Sequence, residues 1–321
     1  MTRERVPGAS AALIRDGEIV ERVAIGAGQG TLFQAASISK VVAGLVVLRL
    51  AERGEIGLDR PVNEQLHSWV LPGERSDEVT PRLLLAHRGG TTVSGFPGYA
   101  PGTPLPDLKQ ILDGSPPANT GPVRQIWAPG EAFRYSGGGT MVLQQLVEDV
   151  AGRPFTTVAA ELVLMPCGMV GSTFRQPPAT TDLAVAHDAA GQALPGKFRL
   201  YPEAAAAGLW STAAELALMA LSIAASWKGL GLLAQTTALA MARPVDDGPT
   251  GLGVFVQPRG RRPPRLYHEG VNAGFRSILA FDADAAFGIA VMTNGEGGQV
   301  LLPAFLEALF AAYGQDPFRP A

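Results

Sequence analysis

Residues 11–25 read AALIRDGEIVERVAI. Two apolar, β-branched runs flank Asp16-Gly17, and Asp-Gly in that setting predicts a hairpin because both central residues of the favoured turn need positive φ. At the far end of the chain, residues 252–257, 265–268, 275–281 and 287–293 are further strand-like runs, divided by PRGRRPP at 258–264 and DADA at 282–285. Gly, Pro and Asp in such clusters mark turns. The intervening sequence carries helical periodicity at 41–53, 81–86, 140–151, 155–164 and 212–225. Thr212, with Glu215 three residues on and an apolar run behind it, has the form of a capping box. Strands at both ends with helices between them predict one antiparallel sheet made by the two termini, covered by helix 41–53 and by a last helix at 300–313. On this reading residues 1–58 and 212–321 form a sheet domain and 59–211 a helical domain. The cleft between them is the expected place for a small ligand.

The chain has 321 residues, enough for one large or two ordinary domains. Hydrophobic residues make up 46% and charged ones 17%, the composition of a folded chain. A net charge of −3, with no dense basic stretch, argues against a nucleic-acid partner. Gly 39 and Pro 26 imply many turns and long connections. The longest strongly apolar run, 41–48, falls far short of the ~18 residues that span a bilayer, so no membrane span is expected. The opening MTRERVPGASAALIRDGE lacks the apolar core of a signal peptide and reads as the start of a cytoplasmic chain. The single cysteine, Cys167 in MPCGM, reads as a buried thiol without a role. His67, His87, His187 and His268 show no ligand spacing, so neither a metal nor another cofactor is expected. No repeat of 20–50 residues is present.

Three short stretches can carry chemistry. In QAASISKVVAG, Ser37 and Lys40 stand three apart at the start of an apolar helical run, an S-x-x-K pattern that brings amine and hydroxyl onto one face. Ser37 is expected in the first helical turn, where unpaired N–H groups favour an oxyanion. In FRYSGGG, Tyr135 is presented on a tight loop as a possible base or proton relay. In LYHEGVNAGF, His268 stands at a strand edge followed by glycine. No G-x-S-x-G elbow occurs, which sets aside the α/β-hydrolase arrangement.

Taken in order, SISK, YSG and HEG, with LLLAHRGG, AAGLWSTAAEL and the closing GIAVMTNG, resemble one family: the serine β-lactamases and penicillin-binding proteins. The resemblance is to their class C β-lactamase-like branch, which includes esterases, D-stereospecific peptidases and amidases. It implies an α/β (α+β) fold with an antiparallel five-stranded sheet flanked by helices plus an all-helical domain. It also implies that Ser37 is the nucleophile of an acyl-enzyme, that Lys40 eases its deprotonation, and that Tyr135 is the partner base and later acid. The implied oxyanion donors are the backbone N–H groups of Ser37 and Val271. Substrate contacts are expected at His268, Gly270, Gly137 and Trp210, with Trp127, Phe96 and Tyr99 as further candidates for an acyl pocket.

Two positions depart from the family pattern. Gly137 replaces the Asn of Y-x-N, removing a contact to a substrate amide, and His268 replaces the Lys of K-T-G, removing a charge for a β-lactam carboxylate. The expected activity is therefore that of a carboxylesterase-like serine hydrolase acting on a small ester or amide, with weak or absent β-lactamase activity. An acyltransferase or a D-stereospecific peptidase or amidase would use the same Ser-Lys-Tyr site. A silent binding or scaffold protein is the alternative of a different class. The oligomeric state is not legible.

Overall fold

The computed structural model describes residues 3–320. The hairpin forms as expected: β1 (Ala9–Arg15) pairs with β2 (Glu18–Ile25), and the turn residues Asp16 and Gly17 have φ of 50° and 83°. Next come β3 (Phe33–Ala36), α1 (Ser39–Glu52), α2 (Pro81–Leu85), α3 (Leu108–Asp113), α4 (Gly137–Ala151) and α5 (Phe155–Ala159). They are followed by α6 (Ala204–Ala207), β4 (Leu209–Ser211), α7 (Ala213–Trp227) and α8 (Gln235–Met241). The chain closes with β5 (Phe255–Arg259), β6 (Arg262–Asn272), β7 (Phe275–Asp282), β8 (Phe287–Thr293) and α9 (Gly298–Ala312).

The main sheet is antiparallel in the order β2-β1-β8-β7-β6-β5, so it has six strands rather than the expected five. The sixth is β5, which pairs with β6 from Phe255↔Tyr267 to Arg259↔Arg262. Both strands run into PRGRRPP, which reads as a loop, because at the edge of a sheet proline sacrifices no ladder bond. Gly260, with φ of 63°, and Arg261 are left at the corner.

Strands β7 and β8 are buried on both faces, their side chains alternating between two apolar layers. Leu279, Phe281, Ala290 and Met292 join the large core under α7, whereas Ile278, Ala280, Ile289 and Val291 meet Leu302, Leu306 and Phe310 of α9. The face expected under helix 41–53 is thus covered by α7. Helix α1 packs chiefly against α4, α5 and α6, and its nearly all-round burial fits a helix enclosed by neighbours. Thr212 caps α7 by accepting from the Glu215 N–H, but the reciprocal half of the box is missing. Instead the Glu215 carboxylate accepts from the Gly171 N–H and the Ser172 hydroxyl.

Cys167 is buried, and burial pushes its thiol up from the ordinary value. Among the described residues no helix is long and apolar enough to cross a membrane, and no cluster of three or more His, Cys, Asp or Glu could hold a metal ion.

Candidate active site

Strand β3 and helix α1 meet at a strained corner. Ala36 has φ of 51°, a conformation that an L-residue with a Cβ adopts only at a cost. The corner is held from several sides. The Ala35 carbonyl accepts from the Ile38 N–H at 3.1 Å and the Ser277 hydroxyl at 2.8 Å. The Ser39 hydroxyl donates to the Ala36 carbonyl at 2.5 Å and accepts from the Leu209 N–H at 3.0 Å. Ser37 therefore lies in the turn two residues before the helix rather than in its first turn, and its N–H has no carbonyl partner among the described residues.

Lys40 is only 4% exposed, and its Nζ donates to Ser37 Oγ at 3.0 Å and to the Ala206 carbonyl at 2.8 Å. No carboxylate forms an ion pair with it among the described residues. The Tyr135 ring centroid lies 5.1 Å from Nζ, so the charge faces an aromatic surface. All three residues singled out for catalysis share one site.

Tyr135 precedes Ser136, the cap of α4, whose hydroxyl accepts from the Gly139 N–H and donates to the Thr92 carbonyl. Around the phenol ring stand Phe255, stacked at 6.3 Å, His268 at 6.2 Å and His87 at 4.4 Å.

Both histidines are buried and neutral. His268 is 2% exposed, and burial, reinforced by the Lys40 charge, pushes its pKa down to about 3. Its Nδ1 lies 2.7 Å from the Glu269 carbonyl, which can only accept, so Nδ1 carries the proton and Nε2 is a bare lone pair. That Nε2 is buried without a partner, an arrangement that costs free energy unless a ligand completes it. His87 lies well below its ordinary value for the same reasons, burial first, then Lys40 and His268. Its Nδ1 accepts from the Ser136 N–H at 3.3 Å.

Strand β6 supplies the opposite wall. Because β5 starts opposite Tyr267, residues 268–272 pair only with β7 and leave an open edge. The Glu269 carbonyl turns to the His268 ring rather than into the ladder, which places Glu269 and, two residues on, Val271 in the outward phase of the strand.

The remaining expected contacts are corrected by the structure. Gly270 does not face the open site: a Cβ there would come within 2.1 Å of Ser277 Oγ and 2.3 Å of the Ala35 carbonyl. Its lack of a side chain lets β6 lie against β3 at Ala35. At Gly137 a Cβ would sit 2.8 Å from the Phe96 ring, so Phe96 fills the space a side chain would use. Trp210 is 0% exposed, packed in β4 between Phe198 and Phe275, and belongs to the core. Tyr99 is also buried, its oxygen accepting from the Asn119 N–H, and Trp127 is exposed with the Arg134 guanidinium over its ring.

Sequence reasoning assigns no role to His87, Asn272 or α6. Asn272 donates to Gln34 Oε1 and to the Ala207 carbonyl, tying β6 to β3 and to the same short helix whose Ala206 carbonyl holds Lys40. The available signal was the string His87-Arg88-Gly89-Gly90, a histidine leading into a glycine turn, and in the structure His87 is left-handed with φ of 55°.

The Beta-lactamase family model matches residues 1–312. Esterase EstB of Burkholderia gladioli is 32% identical over 189 residues, covering 53% of this chain and 47% of that protein. The chain spans under half the length of that curated relative. Among solved structures, the octameric penicillin-binding protein homologue from Pyrococcus abyssi superposes with a TM-score of 0.79 at 22% identity, covering 100% of this chain and 76% of the other. A D-stereospecific amidohydrolase from Streptomyces sp. gives 0.76 at 21%, covering 95% of each chain. At these identities the two structures attest the fold.

Proposed function

The chain belongs to the Beta-lactamase family, and from that premise we propose that it is a serine hydrolase, esterase-like in preference, that works through an acyl-enzyme on Ser37. The observation that carries this reading is the 3.0 Å contact between Lys40 Nζ and Ser37 Oγ inside a wall of Tyr135, His87 and His268. In the proposed first step Ser37 Oγ attacks the ester carbonyl while its proton passes to Tyr135, whose phenolate form is stabilised by the adjacent ammonium of Lys40. The carbonyl π electrons move onto oxygen, and the oxyanion is held by the N–H groups of Ser37 and Val271, each donor contributing about 3 kcal/mol. Collapse breaks the bond to the alcohol, which takes the proton from Tyr135. Water then attacks the acyl-enzyme by the reverse proton path and releases the acid.

A neutral His268 also supports weak or absent β-lactamase activity, since the position carries no charge for a carboxylate. Turnover of a chromogenic cephalosporin at the rate of the best ester would contradict that part. For the nucleophile, a fluorophosphonate probe should label the wild type and leave Ser37→Ala unlabelled, and a p-nitrophenyl ester should give a burst only with the wild type. Equal labelling of both proteins removes Ser37 from the mechanism.

A further inference from the structure

Strand β6 has two faces at its open end. His268, Gly270 and Asn272 look toward β3, whereas Glu269 and Val271 share the phase of Tyr267, which packs in the α9 layer. On that second side lies a cavity of about 450 Å³ that begins at Gly270 and Val271 and runs along α9. Its size falls in the range of small-ligand pockets. The floor is apolar, with Ile278, Leu302, Pro303 and Leu306, and the outer wall is residues 315–320.

That wall is fastened in place. Asp316 Oδ2 accepts from Arg259 Nε and Arg262 Nη1, both at 3.1 Å, and its carbonyl accepts from Arg265 Nη1 at 3.0 Å. Gln257 donates to the Pro317 carbonyl at 2.9 Å, and the Phe318 ring packs edge-on against Tyr267 at 5.1 Å. On the rim, Glu269 and Glu307 balance Arg276 and Arg319. Arg276 is already engaged with the Asn272 and Phe275 carbonyls and Gln299. The lining thus selects no net charge.

We propose that this cavity binds a neutral, apolar arm of the substrate, an aryl group or a medium-length alkyl chain, and that residues 315–320 set its length limit. The inference rests on the serine-hydrolase reading, because the cavity shares Val271 with the proposed oxyanion site and an ester held there has one arm at its mouth. The arm belongs to the acyl group or to the alcohol; the shared chemistry is a hydrocarbon chain leaving the carbonyl over the edge of β6.

The test compares two substrate series on the full chain: p-nitrophenyl esters from acetate to octanoate, and acetates of alcohols of matched length. One series should gain about fourfold in kcat/KM per added methylene until the cavity is filled. If the acyl series gains, the acyl group is the occupant; if the alcohol series gains, the alcohol is. Ala311→Trp and Arg319→Trp place bulk on exposed positions of opposite walls, and each should cut the ratio of the longest favoured ester to the acetate at least tenfold. Thermal melts identify any variant that fails to fold, and the other variant then decides. Fluorophosphonate labelling of Ser37 in the wild type reports separately on the underlying reading. No labelling overturns the hydrolase and the cavity with it. Labelling with a flat series, or with ratios unaltered in the folded variants, overturns the cavity alone.

Discussion

The two ends of β6 bury polar groups in opposite ways. At one end Arg265, wholly buried, and Arg259, 5% exposed, both contact Asp282 Oδ1, at 3.1 and 2.6 Å, and the tail closes over them through Asp316. At the other end, around His268, Lys40 of α1 is buried with no carboxylate paired to it among the described residues, His268 Nε2 has no partner, and His87 and His268 are held neutral. The first end answers charge with charge. The second holds its cation with neutral acceptors and leaves one imidazole nitrogen without a partner, which costs stability.

The sharpest way to break the comparison is Lys40→Met. Ester kcat/KM should fall by about 10²–10⁴ while the melting temperature rises, because a buried cation without a counter-ion is replaced by a side chain of similar length. A fall in both would show that Lys40 is structural. Asp282→Asn should do the reverse: urea denaturation should show a loss of about 3–5 kcal/mol, as two buried guanidiniums lose their carboxylate, while turnover per folded molecule stays close to wild type.

A third test concerns Glu203, which stands at the N-cap position of α6 and is wholly buried beside the phenols of Tyr99 and Tyr201. Burial pushes its pKa up to about 7 from an ordinary 4.5. The native state therefore holds this proton more tightly than the unfolded chain, so the group's contribution is complete below about pH 4.5 and is lost as pH rises through 7. That loss amounts to about 3 kcal/mol by pH 8, and Glu203→Gln should remove it and flatten the stability profile over this interval. The smallest effect is expected for Asp316→Asn on the exposed side of the ion cluster, a slight drop in melting temperature that disappears at high salt.

The features legible in the sequence are those written in local chemistry. Asp16-Gly17 dictates its turn whatever surrounds it, and Ser37 and Lys40 meet because three residues across a turn into a helix bring them together. Tyr135 could be singled out, but the site's other members could not: His87, the Ala206 carbonyl and Asn272 join it through contacts 48, 166 and 238 residues apart in sequence, with Tyr135, Lys40 and Gln34. Trp210 was misplaced for the complementary reason. Every residue of β4 is buried, so no alternation reveals a strand. The hairpin and the four runs near the far end already number six strands; the figure of five comes from the resemblance alone.

On the proposed mechanism, Ala36 meets the substrate with its torsion already in the left-handed region, its corner pinned by bonds from Ser277, Ile38 and Ser39. Folding has therefore done the backbone ordering before any substrate arrives. The activation entropy of acylation should owe little to this corner, and the temperature dependence of that step should instead reflect the enthalpy of making and breaking bonds at Ser37.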